Sequence, residues 1–104
     1  MAKKITIPGS VKTIDNHSLA FVKANTIIFK EGVTYFKDFS FLDSYPHDVY
    51  FPSTVKNFPV GLMNPEEGIL YDLTLHFTKD SKVGLEVAKE YKDLENVKIK
   101  FDNK

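Results

Sequence analysis

The sequence of 104 residues predicts a repeat solenoid, β-rich with mixed α/β character, of about three 22-residue coils and a C-terminal strand-helix-strand cap. The first observation is a rhythm written three times: "ITIPGSVKTI" from Ile5, "IIFKEGVTYF" from Ile27 and "VYFPSTVKNF" from Val49. In register, the three stretches put apolar residues in five columns. Ile5, Ile27 and Val49 form the first, and Ile7, Phe29 and Phe51 the second. Val11, Val33 and Val55 follow, then Ile14, Phe36 and Phe58, then Leu19, Phe41 and Met63. With 42% of the chain apolar, fifteen chosen positions would all be apolar by chance about twice in a million, before allowing for the choice of period. The second observation is the chemistry of the links. Pro8 and Pro52 close the first pair, and Gly9, Ser10, Gly32 and Ser53 sit where a tight corner needs small residues. The third is a polar, lysine- and glutamate-rich tail of the kind that caps a stack of coils.

Each coil begins with an apolar pair at a spacing of two, the period of a strand with one buried face. The second pair is a further extended piece, and "NHSLAF" and "KDFSFLD" then read as short helical turns on the return. One such coil cannot bury its own apolar face, whereas stacked coils turn each column into a continuous internal ladder. A single domain is expected, with repeats over 5–26, 27–48 and 49–72 and a cap over 73–104. From Val49 to the next matching residue, read as Leu73, the spacing lengthens, and the extra residues fall in the loop-like "MNPEEGILYD". "LTLHF" reads as a fourth strand. Val83, Val87 and Tyr91, with Leu85 and Ala88 beside them, predict an amphipathic helix over 81–92. "VKIKF" at 97–101 alternates again and predicts a fifth strand.

Composition narrows the function. The chain has no cysteine, which excludes a disulfide framework and a thiolate zinc site. Its 14 cations are all lysine and are balanced by 14 acids. Without arginine's planar fork or a net positive charge, nucleic acid is not an expected partner. No apolar run approaches the roughly 20 residues of a membrane helix, so no membrane partner is expected. "MAKK" leads straight into strand pattern with no apolar leader, so the expected location is cytoplasmic.

"ITIPGSVKTIDNHSL" resembles the signature I-x-I-P-x-S-V-x-x-I-x-x-x-A-F of the BspA-like (Treponema pallidum-type) leucine-rich repeats. "VYFPSTVKNFPVGLM" keeps the strand, the proline and the V-x-x-F, and "IIFKEGVTYFKDFSF" keeps the spacing with Lys30 in place of proline. The tail resembles the strand, lysine-rich helix and final strand that often end such arrays. The chain departs from the pattern at Asp15, Lys37 and Pro59, where the family usually has glycine. The resemblance implies a leucine-rich-repeat-like solenoid that binds proteins, and a cell-surface location if the chain is a fragment of an exported member.

No catalytic motif emerges. Ser10, Ser53 and Ser81 lack a nucleophile-elbow context, no glycine-rich phosphate loop occurs, and Glu66 and Glu67 are adjacent acids in a turn. His17 reads as a structural histidine, and His47 and His76 as surface polar residues. No enzyme activity, cofactor or metal is expected. The outward positions are more telling. Between the buried residues of each first strand lie Thr6, Ile28, Tyr50 and Thr74, and Tyr35 faces outward on the second segment. Ile and Tyr on a rim of lysines suit a partner-binding surface. The leading expectation is a non-catalytic protein–protein interaction module. The alternatives are a small inhibitor or regulator that blocks a partner enzyme, of the kind that viruses and phages encode, a homo-oligomer that buries Ile28 and Tyr50, and, last, a metal-dependent enzyme using His47 and His76.

Overall fold

Among the described residues, seven strands and one helix run in the order β1 (Lys4–Ile7), β2 (Thr13–Ile14), β3 (Thr26–Phe29), β4 (Tyr35–Phe36), β5 (Asp48–Tyr50), β6 (Leu73–Thr78), α1 (Lys82–Glu90) and β7 (Val97–Asn103). The computed structural model describes residues 3–15, 24–37, 46–58, 72–91 and 96–103. The fifth apolar column (Leu19, Phe41, Met63), the two expected helical turns, His17, Glu66 and Glu67 lie outside those residues.

The architecture is a β-solenoid. β1, β3, β5, β6 and β7 form one parallel sheet in that order, and β2 and β4 form a second, also parallel. Adjacent strands in each sheet therefore belong to successive coils rather than to a hairpin. Ile5, Ile27 and Val49 stand in one row of the first sheet, 22 residues apart, as the repeat requires.

A β-turn closes each coil's first strand, with Val11 N–H donating to Pro8 O (3.1 Å), Val33 to Lys30 O (3.2 Å) and Val55 to Pro52 O (3.3 Å). The same turn recurs a fourth time, where Ser81 N–H donates to Thr78 O (3.1 Å). That corner does not lead into another extended segment. Its last residue, Ser81, is the N-cap of α1, with Oγ accepting from Gly84 N–H (3.0 Å).

Successive corners are fastened side chain to backbone. Thr54 Oγ1 accepts from Gly32 N–H (2.9 Å) and donates to Val33 O (2.8 Å), and the Glu31 carboxylate accepts from both Ser53 N–H and Ser53 Oγ. The second sheet has a third rung made by a side chain. Asn57 Oδ1 accepts from Phe36 N–H (2.8 Å), and its Nδ2 donates to Phe36 O (2.6 Å).

The core is the inside of the stack. Phe29, Phe51, Phe77 and Phe101 extend the second column into a phenyl ladder, with ring centroids 5.9, 4.8 and 6.3 Å apart. Phe36 packs edge-on against Phe29 and Phe51. α1 lies on this inner side. Gly84 has Phe77 and Phe101 carbons within 2.9 Å of where a Cβ would stand, so only glycine lets the helix sit this close. Val87 is buried beneath it, while Leu85, expected beside the buried stripe, is exposed. The helix is shorter than the expected 81–92 at both ends, and β7 runs two residues past the expected Phe101.

One register differs from the reading of the sequence. Leu75, not Leu73, stands opposite Val49, so the third coil is 26 residues long; Ile99 follows after 24. The physical reason is the alternation Leu73-Thr74-Leu75-His76-Phe77. A slip of two residues keeps every side chain on its face, so the period alone cannot distinguish the two pairings. The consequence is a changed outer row: Tyr50 stands beside His76, and Thr74 beside Asp48.

Candidate functional site

The outer face of the five-stranded sheet carries two rows of side chains. One is Lys4, Thr26, Asp48, Thr74, Lys98, and the other is Thr6, Ile28, Tyr50, His76, Lys100. Parallel sheets are usually covered on both faces. Here Phe36 of the second sheet and, at β6 and β7, α1 pack on the inner face, and on the outer face every member of both rows except His76 is exposed or half-exposed.

The expected residues fall as follows. Thr6, Ile28 and Tyr50 share one row, and Thr74 is on the same face in the neighbouring row. Ile28 and Tyr50 are half-buried by their neighbours rather than projecting freely. Tyr35 is 49% exposed but belongs to β4 in the second sheet, apart from the ladder.

His76 is the feature that the sequence reading missed. Taken there as a surface polar residue, it is 5% exposed, on the outer face between β5 and β7. Its Nε2 lies 2.8 Å from Asp48 Oδ1 and its Nδ1 2.8 Å from Asp102 Oδ1. A ring nitrogen that carries a proton donates to the carboxylate it faces, because an ionised carboxylate only accepts. The ring is held between two acids from the strands on either side of β6. The Tyr50 ring stacks on the His76 ring at 4.0 Å and 9°, an aromatic contact that fixes the tyrosine's orientation. Asp102 lies beyond the expected last strand, and Asp48 and His76 come from different coils, so only the corrected register unites them.

The electrostatics follow from this packing. The hydrogen bond from His76 holds the Asp102 carboxyl below the usual carboxylate range, helped by the nearby charges of His76 and Lys100 and opposed by burial. Burial raises the Tyr50 hydroxyl above its ordinary value, and the charges of Asp48 and Asp102 raise it further.

A folded-state pKa below the unfolded value of about 3.9 adds stability above that pH, and the contribution disappears as pH falls through the folded value. Asp102→Asn is therefore expected to lower the urea midpoint at pH 7 and to converge on wild type once the pH is well below 4. Urea titrations across pH check this, and an unchanged gap at low pH contradicts it. Because Asp102 is half-exposed, solvent screening keeps the effect small.

His47 and His76 each hydrogen-bond to other groups of the fold. Both ring nitrogens of His76 are engaged by carboxylates, and His47 Nδ1 bonds Asp72 O at 2.8 Å. No group of three or more His, Cys, Asp or Glu among the described residues is placed to hold a metal ion. An open groove of about 570 Å³ runs between the third corner and the start of α1, past Glu31, Ser53, Thr78, Ser81 and Asn103. Glu31 is committed there to Ser53, and Asn103 Nδ2 donates to Phe51 O (2.7 Å). No described helix is long and apolar enough to cross a membrane. No protein-family model matches the chain, and no curated protein or solved structure matches it significantly.

Proposed function

We propose that the chain is a non-catalytic protein-recognition module whose contact surface is the outer face of the five-stranded sheet, centred on Ile28 and Tyr50. The observation that carries this reading is the packing of Tyr50. Its ring is already held against His76, which Asp48 and Asp102 hold in turn, so a partner meets an aromatic group with little side-chain entropy left to lose. Ile28 beside it adds half-exposed apolar surface, and Thr6 and Thr74 flank the pair with hydroxyls. Lys4, Lys98 and Lys100 form the rim. An apolar, aromatic centre with a polar rim is the usual anatomy of a protein interface. The resemblance to BspA-like repeats supports the same class of role, as does the general use of solenoids as rigid recognition surfaces.

Tyr50→Ala and Ile28→Asp are expected to leave the circular dichroism spectrum and the folded state intact and to abolish partner capture. Truncating a central aromatic contact typically weakens binding by about 2 kcal/mol or more, roughly thirtyfold. Tyr35→Ala, on the other sheet, is expected to leave capture unchanged. Retained capture by both face variants overturns the reading.

A further inference from the structure

We propose that β1 is a pairing edge for a second copy of this chain, forming a two-fold antiparallel β1–β1 junction centred on Thr6. Three features lead there.

Among the described residues the core is less covered at the β1 end than inside the stack. Ile27, Phe29, Val49 and Phe51 are fully enclosed, whereas Ile5 and Ile7 at the head of the same two columns are only half-buried. Val33 and Val55 are buried, but Val11 above them is 38% exposed. Among the described residues β1 is the end strand of the sheet, and no further coil stands on that side of these residues.

The backbone at this end is ready for pairing. Lys30 N–H donates to Ile7 O (2.9 Å) and Thr26 N–H to Lys3 O (3.1 Å), so the odd-numbered residues of this stretch direct their backbone groups toward β3. Parallel pairing alternates, and the N–H and C=O of Lys4 and Thr6 consequently point out of the free edge.

Charge then selects the occupant. Head-to-tail addition of β7 in the sheet's own register would set Lys98 of the second copy beside Lys4, and Lys100 beside Thr6. Two lysines side by side on adjacent strands repel, and outward lysines are a common guard on an edge such as β7. An antiparallel β1–β1 pair avoids this. With Thr6 opposite Thr6, the two residues exchange both N–H···O bonds, and each Ile5 meets Ile7 of the other copy. Lys4 then faces Pro8 instead of another lysine. The junction brings the two less covered core ends together, Val11 included, and its two-fold symmetry closes the assembly at a dimer.

The test is the solution mass of the full chain by light scattering over a concentration series. Twice the 11.9 kDa chain mass is expected at the upper end. Thr6→Pro removes the outward N–H while leaving the β1–β3 bonds in place, and is expected to give the monomer. Thr6→Val and Tyr50→Ala, which keep that N–H, are expected to stay dimeric. Hydrogen exchange on the wild-type chain provides a check that needs no substitution: the Lys4 and Thr6 amides should gain protection as concentration rises. A monomer at every concentration, open-ended growth beyond the dimer, a dimeric Thr6→Pro, or Lys4 and Thr6 amides without concentration-dependent protection each overturn the proposal.

Discussion

Phe51→Ala is expected to lower the unfolding free energy by about 3–5 kcal/mol, the range for deleting a fully buried phenyl group. Phe51 is an inner rung of the aromatic ladder, stacked on Phe29 and Phe77 and in contact with Phe36 and Phe58. A domain of this size has about 5–15 kcal/mol in total, so the loss takes a large share of it. The position matters as much as the residue. In a stack where each coil contacts only its neighbours, stability is a sum of coil and interface terms, and Phe51 contributes to the interfaces on both sides. Urea unfolding is therefore expected to become less cooperative as well as weaker, with a lower m-value for the first transition. Ile7→Ala, at the half-buried end of the same column, should cost much less. Equal costs for Phe51→Ala and Ile7→Ala would show that the stack does not transmit stability in this way.

Gly32→Ala is expected to have the second-largest effect, for a backbone reason. Gly32 has φ +115°, a conformation that residues with a Cβ rarely adopt, at a cost of about 1–3 kcal/mol. A Cβ there would also overlap the Gly9 carbonyl oxygen and come within 2.9 Å of Gly9 Cα, so the first corner would have to lift off the second. Gly9→Ala should act similarly, because its Cβ would overlap the Glu31 carbonyl group. Thr54, at the same place in the third coil as Gly32, shows what a side chain does at a corner with room for it: it binds back to Gly32 and Val33. The expected drop in melting temperature for Gly32→Ala is about 10 °C or more, taking roughly 4–8 °C per kcal/mol for a small domain. A melting temperature within a degree or two of wild type contradicts the close approach of the two corners.

The parts of the fold that could be read from the sequence are those that repetition and period determine. The 22-residue spacing put Ile5, Ile27 and Val49 in one row, and the alternation within each strand assigned the inner and outer faces. The spacing of Val83, Val87 and Tyr91 located α1 to within a residue or two. Repetition fails where the repeat changes length. The third coil is longer, and the uniform apolar alternation of Leu73, Leu75 and Phe77 left no mark of which leucine meets Val49. That ambiguity exchanged His76 for Thr74 in the ladder and concealed the site's centre. A usable signal was present: an outward histidine on one strand with an outward acid on each side, Asp48 before it in the chain and Asp102 after it. Tyr50, Ile28 and Thr6 were legible as outward-facing because they lie in coils where the period holds.

The site depends on parallel coils bringing Asp48, Tyr50, His76 and Asp102 together on one face, and nuclear Overhauser contacts in solution test this most directly. Contacts between the Tyr50 ring and the His76 ring, together with Val49–Leu75 contacts across β5 and β6, are the predicted result. Contacts pairing Tyr50 with Thr74 and Val49 with Leu73 would contradict it, because they would place His76 beyond the end of β5 and away from Asp48.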